Sequence, residues 1–354
     1  MTPKAFLAFT AVTAAVVVVS SFIVVERYAT ATFVKEKEPI FPAMHDKVNE
    51  VTSLLYEDKQ VRIAVSRQPD GQFVLSERHN YPVSNEIVRE LVIGLAELKV
   101  LEPKTKLEKL YPRIQVDDLQ KEKSLAKHLQ VKGKNGEPLI DALIGRRNFD
   151  TTGLTDEGRY VRRVGEAQSW LVAGRFDIPD QIKKWVGKEF MNVDAKRIDT
   201  STTTHPDGTQ LIVQREDRSG TRFKVLNVPK GREVEYQIDV DNISDGVDRI
   251  EFEDVGKPGE NGIDFPKDKT ISTTYHTYDG LIVVADVYAK DESKSEFWAR
   301  FKASVSDKAE NKEEIQKEAD KINAEVTNWV YRIPAFKFRY MTRRLDEVLK
   351  KEDS

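Results

Sequence analysis

Five histidines, His45, His79, His128, His205 and His276, are the first side chains to test for metal or acid–base chemistry. Two imidazoles on one helix face need a spacing such as H-x-x-x-H, which places them one turn apart. No two of these histidines have it, so they read as surface or turn residues. His276 has Asp279 three residues on, but Asp279-Gly280 reads as a turn. The acidic stretch Asp239-Val240-Asp241-Asn242-Ile243-Ser244-Asp245-Gly246 suggests a calcium loop. With Asp239 first, Ile243 fills the fifth position, which needs an oxygen ligand, and the glycine arrives late. On a helix, Asp241, Asp245 and Asp248 share a face instead, which reads as a solvated surface. The C-terminal run FKFRYMTRR interleaves Phe336, Phe338 and Tyr340 with Lys337, Arg339, Arg343 and Arg344. Such a pattern stacks on bases, lies against anionic head groups, or docks with its basic residues snorkelling. We take Lys337, Arg339, Arg343 and Arg344 as candidate contacts to a partner or to lipid.

Stronger motifs are missing. There is no G-x-S-x-G elbow, no G-x-x-x-x-G-K-[ST] loop and no G-x-G-x-x-G fingerprint, so the chain does not read as an ATPase. The cysteine count is 0, which removes disulfides, thiolate zinc and cysteine nucleophiles together. We expect no catalytic residue, no cofactor and no metal. Lys and Arg total 56 against 59 Asp and Glu, a net charge of −3 that argues against nucleic acid as a partner. With that many carboxylates, a pair assembled only in three dimensions stays open, as in an enzyme acting on envelope glycans.

The element that would position everything else is at the start. Residues 5–25 (AFLAFTAVTAAVVVVSSFIVV) carry no charge. About 21 residues at 1.5 Å rise give roughly 31 Å of helix, enough to cross a hydrocarbon core. Phe6, Leu7, Phe9, Val17, Phe22 and Ile23 would face lipid. Lys4 and the amino terminus precede the run, while Glu26 and Arg27 after it cancel. The positive-inside rule then keeps the terminus in the cytoplasm and exports the body. Ala29-Thr30-Ala31 resembles a signal-peptidase site, but the apolar run exceeds a usual signal h-region, so an uncleaved single-pass anchor is expected in the inner membrane.

The anchor (1–27) leads to a tether (28–49) with Pro39 and Pro42. A first exported domain (50–194) opens with strand-like runs 51–58, 61–67 and 72–77, the last two joined by Asp70-Gly71. Ser84-Asn85-Glu86 caps a helix through Lys99, and residues 100–105 leave it. A second, similar domain (195–308) repeats that order. Runs 198–203, 210–215 and 222–226 precede a poor helix over 233–250, with Ser219-Gly220 where Asp70-Gly71 stood. Residues 127–132, 139–146, 160–164, 169–172, 270–276, 281–288 and 296–304 read as further strands. A C-terminal segment (309–354) holds a helix over 312–330, striped by Ile315, Ala319, Ile322, Val326 and Trp329, and another over 336–350. The fold class is α+β: an N-terminal transmembrane helix, then two similar β-rich domains with helices on mixed or antiparallel sheets.

Several stretches together resemble a bacterial family, domain of unknown function 4340. They are Phe41-Pro42, Tyr81-Pro82, residues 98–105 (LKVLEPKT), Ala142-Leu143-Ile144-Gly145-Arg146, Tyr160-Val161-Arg162-Arg163, Gln168-Ser169-Trp170-Leu171-Val172, and Trp329, Tyr331, Ile333 and Pro334. The likeness is strongest over 41–193. It implies a single-span protein with an exported, repeated, β-rich body, associated with ABC transport systems of the gliding-motility type. On that reading the chain is a non-catalytic auxiliary subunit beside a permease and an ATPase. A glycan-acting enzyme and a structural envelope spacer are the alternatives.

Overall fold

The computed structural model describes residues 13, 16, 17, 20, 21, 38–149, 158–186, 190–293 and 295–351. Most of the expected membrane span, including Phe6, Leu7, Phe9, Phe22 and Ile23, lies outside the described residues; Thr13, Val16, Val17, Ser20 and Ser21 are helical. Among the described residues no helix is long and apolar enough to cross a membrane. The chain divides into two compact units, one of residues 1–74 and 85–180, the other of 75–84 and 181–354.

In the first unit α1 (Pro42–Asp46) precedes β1 (Ser53–Glu57), β2 (Arg62–Arg67) and β3 (Phe73–Leu75). The segment 75–84, with the short β4 (Tyr81–Pro82), counts with the second unit. Then follow α2 (Asn85–Ala96), β5 (Lys99–Pro103), α3 (Tyr111–Ile114), β6 (Lys127–Lys132), β7 (Pro138–Asn148), β8 (Gly158–Arg163) and β9 (Ser169–Ala173). From β3 to β5 the antiparallel sheet runs β3-β2-β1-β6-β7-β8-β9-β5. Period-two alternation builds it: Leu54 and Tyr56 of β1, Ile63 and Val65 of β2, and Leu129 and Val131 of β6 are all buried. The β2–β3 turn closes where Asp70 Oδ1 accepts the Gln72 N–H at 2.9 Å and Gly71 takes φ +90°. Val88, Leu91, Val92 and Leu95 form the buried stripe of α2. The expected tether does not hold over its described half. Ile40, Phe41 and Met44 are buried, because apolar side chains beside Pro39 and Pro42 gain more by joining the core than by spanning water.

The second unit holds α4 (Ile182–Val186), β10 (Ile198–Thr204), β11 (Gln210–Arg215), β12 (Phe223–Val225) and α5 (Gln237–Asp241). A 3₁₀ turn (Asn242–Val247) continues from α5. Next come β13 (Asp254–Gly256), β14 (Ile271–Thr277), β15 (Leu281–Asp291), β16 (Glu296–Val305), α6 (Lys312–Val326), β17 (Val330–Arg332), α7 (Ala335–Thr342) and α8 (Leu345–Val348). The eight-stranded antiparallel sheet runs β12-β11-β10-β14-β15-β16-β17-β13. Its connectivity is that of the first sheet: a three-strand meander, a helical segment, a strand sent to the far edge, then four strands back toward it. The helix expected over 312–330 stops at Val326. Residues 330–332 instead pair with β16 and β13. Tyr331 there is fully buried and stacks on Phe190 at 3.9 Å, with Phe252, Tyr81 and Phe301 around it. Each such aromatic pair contributes about 0.5–1.5 kcal/mol beyond its area, which outweighs helical periodicity. The segment 309–354 is part of this unit's core, through Ile315, Ala319, Met341 and Val348.

Candidate functional site

The helical segment after the meander meets the β-hairpin in the same way in each unit. In the first, the Phe73 N–H donates to Asn85 Oδ1 at 3.0 Å, and the Arg67 guanidinium lies 5.7 Å from the Phe73 ring centroid. In the second, the Phe223 N–H donates to Asp241 Oδ1 at 2.8 Å, and Arg215 lies 4.5 Å from the Phe223 centroid. Each arginine ends the middle strand of its meander, each phenylalanine opens the meander's last strand, and each Asx side chain holds the hairpin to the helix. A cleft lies beside each device. The first unit's cleft is about 310 Å³, with Val51, Phe73, Val88, Val92 and Arg89 on its walls. The second's is about 610 Å³, with Arg215, Asp241, Ser244, Asp245, Asp248 and Arg249 on its walls.

The wall residues follow one spacing. Val88, Arg89, Val92 and Ile93 stand three, four, seven and eight residues after Asn85; Ser244, Asp245, Asp248 and Arg249 stand at those intervals after Asp241. Expected as a solvated face, Asp241, Asp245 and Asp248 are therefore partly buried on a cleft wall. A shared helical face says which residues point together, not what they point at. Arg215 is 5 % exposed and donates to the Ile198 carbonyl at 2.9 Å, the Gly220 carbonyl at 2.6 Å and the Ala195 carbonyl. Among the described residues no donor reaches the Asp245 carboxylate, and burial raises its pKa against the opposing pull of Lys337. Asp248 pairs with Arg249 at 3.4 Å.

The C-terminal basic residues divide by position. Lys337 is 6 % exposed, and its ammonium donates to the Asp245 carbonyl at 2.6 Å and to the Asp248 carbonyl. It thus fastens α7 beneath the cleft wall. Arg343 pairs with Asp239 at 2.8 Å and Arg344 with Asp207 at 2.8 Å. Hydrogen bonds from Thr209, then from Arg344, hold the Asp207 carboxyl well below the usual carboxylate range. Arg339 is exposed on α7, with no ion pair among the described residues.

The histidines scatter. His45 is exposed beside Asp46, and His79 pairs with Glu260 at 2.6 Å. His128 binds Asp141 at 2.7 Å while Glu57 faces its other nitrogen at 4.0 Å. His205 is not the surface residue expected: it is 4 % exposed, and burial lowers its pKa. His276, on β14, is shifted the same way by the same cause. Among the described residues no three His, Asp or Glu side chains gather as a metal site.

Motif residues that carried the resemblance build the fold. Gly145 sits where a Cβ would strike the Ile114 carbonyl. Arg162, 5 % exposed, donates to the Val116 carbonyl at 2.8 Å, to the Glu166 carbonyl at 3.1 Å and to Asp118. Trp329 packs edge-on to Tyr81 at 4.8 Å with the Lys257 ammonium over it at 3.6 Å.

Fold and clefts together define a β-rich α+β chain of two units, each with a helix-walled pocket beside its edge hairpin. The family model described as Domain of unknown function (DUF4340) matches residues 74–270, more than half of the chain, and the chain belongs to that family. The matched range includes the second unit's cleft wall and ends before Trp329 and Pro334. No curated protein and no solved structure matches the chain.

Proposed function

We propose that this chain is a non-catalytic accessory protein of an ABC-type transport system. Residues 5–25 anchor it in the inner membrane, amino terminus inside, with both β-rich units on the extracytoplasmic side. There it binds a permease, its ATPase partner through that permease, or the cargo. The observation that carries the reading is the uncharged run 5–25 ahead of a body so rich in charge that Asp, Glu, Lys and Arg make up 32 % of the chain. The equal connectivity of the two sheets adds support for an internally duplicated binding body, with a pocket in each copy. Tethering raises effective concentration, so weak pockets suffice for a membrane-held partner. Purification in mild detergent tests this: a permease and an ATPase should co-purify with the full chain. Repeated recovery of the chain alone, or its protection from protease added to spheroplasts, defeats the proposal.

A glycan-acting enzyme is the second reading. Asp245, with its pKa raised by burial, shares a cleft with Asp241 and Asp248, as an acid and its partner carboxylate would. Release of reducing ends from envelope glycan, lost in Asp245→Asn, is the result that would favour it.

A further inference from the structure

Each unit sends one strand to the far edge of its sheet and brings the chain back by a long connection, β5 to β6 in the first and β13 to β14 in the second. The second unit's connection, residues 257–270, turns its apolar side chains inward. Ile263 and Phe265 are buried with Trp298 and Val330, while Lys257, Lys267 and Lys269 balance Glu260, Asp264 and Asp268. The first unit's connection, residues 104–126, is also pinned. Tyr111 and Val116 are buried with Leu143 and Leu171, and the Tyr111 hydroxyl donates to the Ala167 carbonyl at 2.5 Å. Yet its outer side differs. Leu107 is 55 % exposed and Leu125 67 %, and the Lys121–Glu108 ion pair ties together the limbs that carry them. On the same connection Lys106, Lys109, Arg113 and Lys123 are exposed, with no ion pair among the described residues. Isolated exposed leucines are ordinary. Two on one pinned connection, among four unpaired cations, make the pattern of an interfacial surface.

Where the chain enters the first unit decides what that surface meets. The Ile40 N–H donates to the Leu98 carbonyl at 2.9 Å, the Val100 N–H donates to the Glu38 carbonyl at 2.9 Å, and Pro39 bridges antiparallel to Lys99. Going back from Ile40 to Glu38 therefore advances along β5 toward Pro103, the end at which the 104–126 connection begins. Between the uncharged run 5–25 and Glu38 lie residues 26–37, which span at most roughly 40 Å. A bilayer that holds the run is thus within reach of the connection. We infer that the 104–126 connection docks on anionic lipid head groups of the bilayer that anchors the chain. Leu107 and Leu125 enter the interface, and Lys106, Lys109, Arg113 and Lys123 meet the phosphates. Apolar insertion and cationic attraction add at such a surface, each lysine strengthening binding about fivefold. The inference rests on the anchored reading of residues 5–25 for its source of lipid, and adds to it the face of the first unit that turns to the membrane.

The chain has no cysteine, so a single introduced thiol is uniquely addressable. Full-length Leu107→Cys and Leu125→Cys, each bearing a bimane label, are reconstituted with doxyl-labelled lipid as quencher. The bilayers are phosphatidylcholine alone or with about 30 % phosphatidylglycerol. Quenching at both sites is expected in the anionic bilayer, falling about twofold or more in the neutral one. A label at Glu90→Cys, exposed on α2 and outside the patch, should stay unquenched in both. Lys106→Glu with Lys109→Glu, read at the Leu125→Cys label, should lower the docked fraction about tenfold or more without lowering the melting temperature. Quenching absent from both leucine sites, equal at Glu90→Cys, or indifferent to the charge reversal overturns the inference. Shielding of the labels from iodide without quenching by lipid assigns the patch to a protein partner and overturns it too. Alkaline carbonate extraction keeps the two readings apart. Chain retained with unquenched leucine labels leaves the anchor and removes the docking surface. Chain released, yet quenched on added anionic vesicles, leaves the surface and removes the anchor.

Discussion

Arg67 and Arg215 occupy matching places at the ends of β2 and β11, yet only one is part of the interior. Arg67 is exposed and reaches the Asn49 carbonyl at 3.4 Å. Arg215 is buried under the hairpin and satisfies carbonyls of Ile198, Gly220 and Ala195. The first unit closes its helix–hairpin junction with valines and leaves its arginine to solvent. The second closes the same junction with a buried guanidinium, which leaves the helix wall free to be acidic. One scaffold therefore admits two solutions, and the polar one yields the larger, charged cleft.

The sharpest way to break this contrast is to truncate both arginines. Arg215→Ala should destabilise by about 3 kcal/mol in urea unfolding, because it strands buried carbonyls that accept from a charged donor. Arg67→Ala should cost about 0.5 kcal/mol, the range of exposed substitutions. Equal costs would mean that the two junctions are held alike. Next in size, Gly246→Ala should cost about 2 kcal/mol by overpacking against Tyr275. Adding Tyr275→Phe removes the obstructing hydroxyl and should recover part of that loss, whereas a purely backbone cause would leave the double variant no better. Asn85→Ala and Asp241→Ala should each cost about 1 kcal/mol, since each frees one strand N–H. A large difference between them would show that the shared contact carries unequal weight.

Strands were the legible part of the sequence. Alternation in 127–132 and 210–215 marks β6 and β11 with their observed bounds, since one face of each is buried and the other is not. The recurring order of elements was readable too, because turn residues such as Asp70-Gly71 and Ser219-Gly220 punctuate it. The clefts were not. Arg215 binds carbonyls 5 to 20 residues away in chain, and backbone acceptors leave no mark on side-chain identity. Asp241, Asp245 and Asp248 were legible as a shared face, but no local pattern connects them to Arg215, which lines the same cleft, or to Lys337, which binds the Asp245 and Asp248 carbonyls. Tyr331 was hidden inside a helical stripe that the sheet overrides.

The smallest effect is the most discriminating for the acidic wall. Burial raises the folded-state pKa of Asp245 above its unfolded value of 3.8, so the folded chain holds this proton more tightly than the unfolded one. Below the unfolded pKa the carboxyl is protonated in both states and costs nothing. As pH rises through the window between the two values, the unfolded chain ionises first and stability falls, after which the penalty is constant. Asp245→Asn has no such proton. Subtracting its unfolding free energy from that of the natural chain at each pH should give a difference that grows unfavourably for the natural chain across the acidic range and then levels. The matching experiment on Arg89→Ala in the first unit should give a flat line, because no carboxylate stands there. A flat line for both would mean that Asp245 is as well solvated folded as unfolded, and the contrast between an apolar and an acidic cleft would lose its energetic basis.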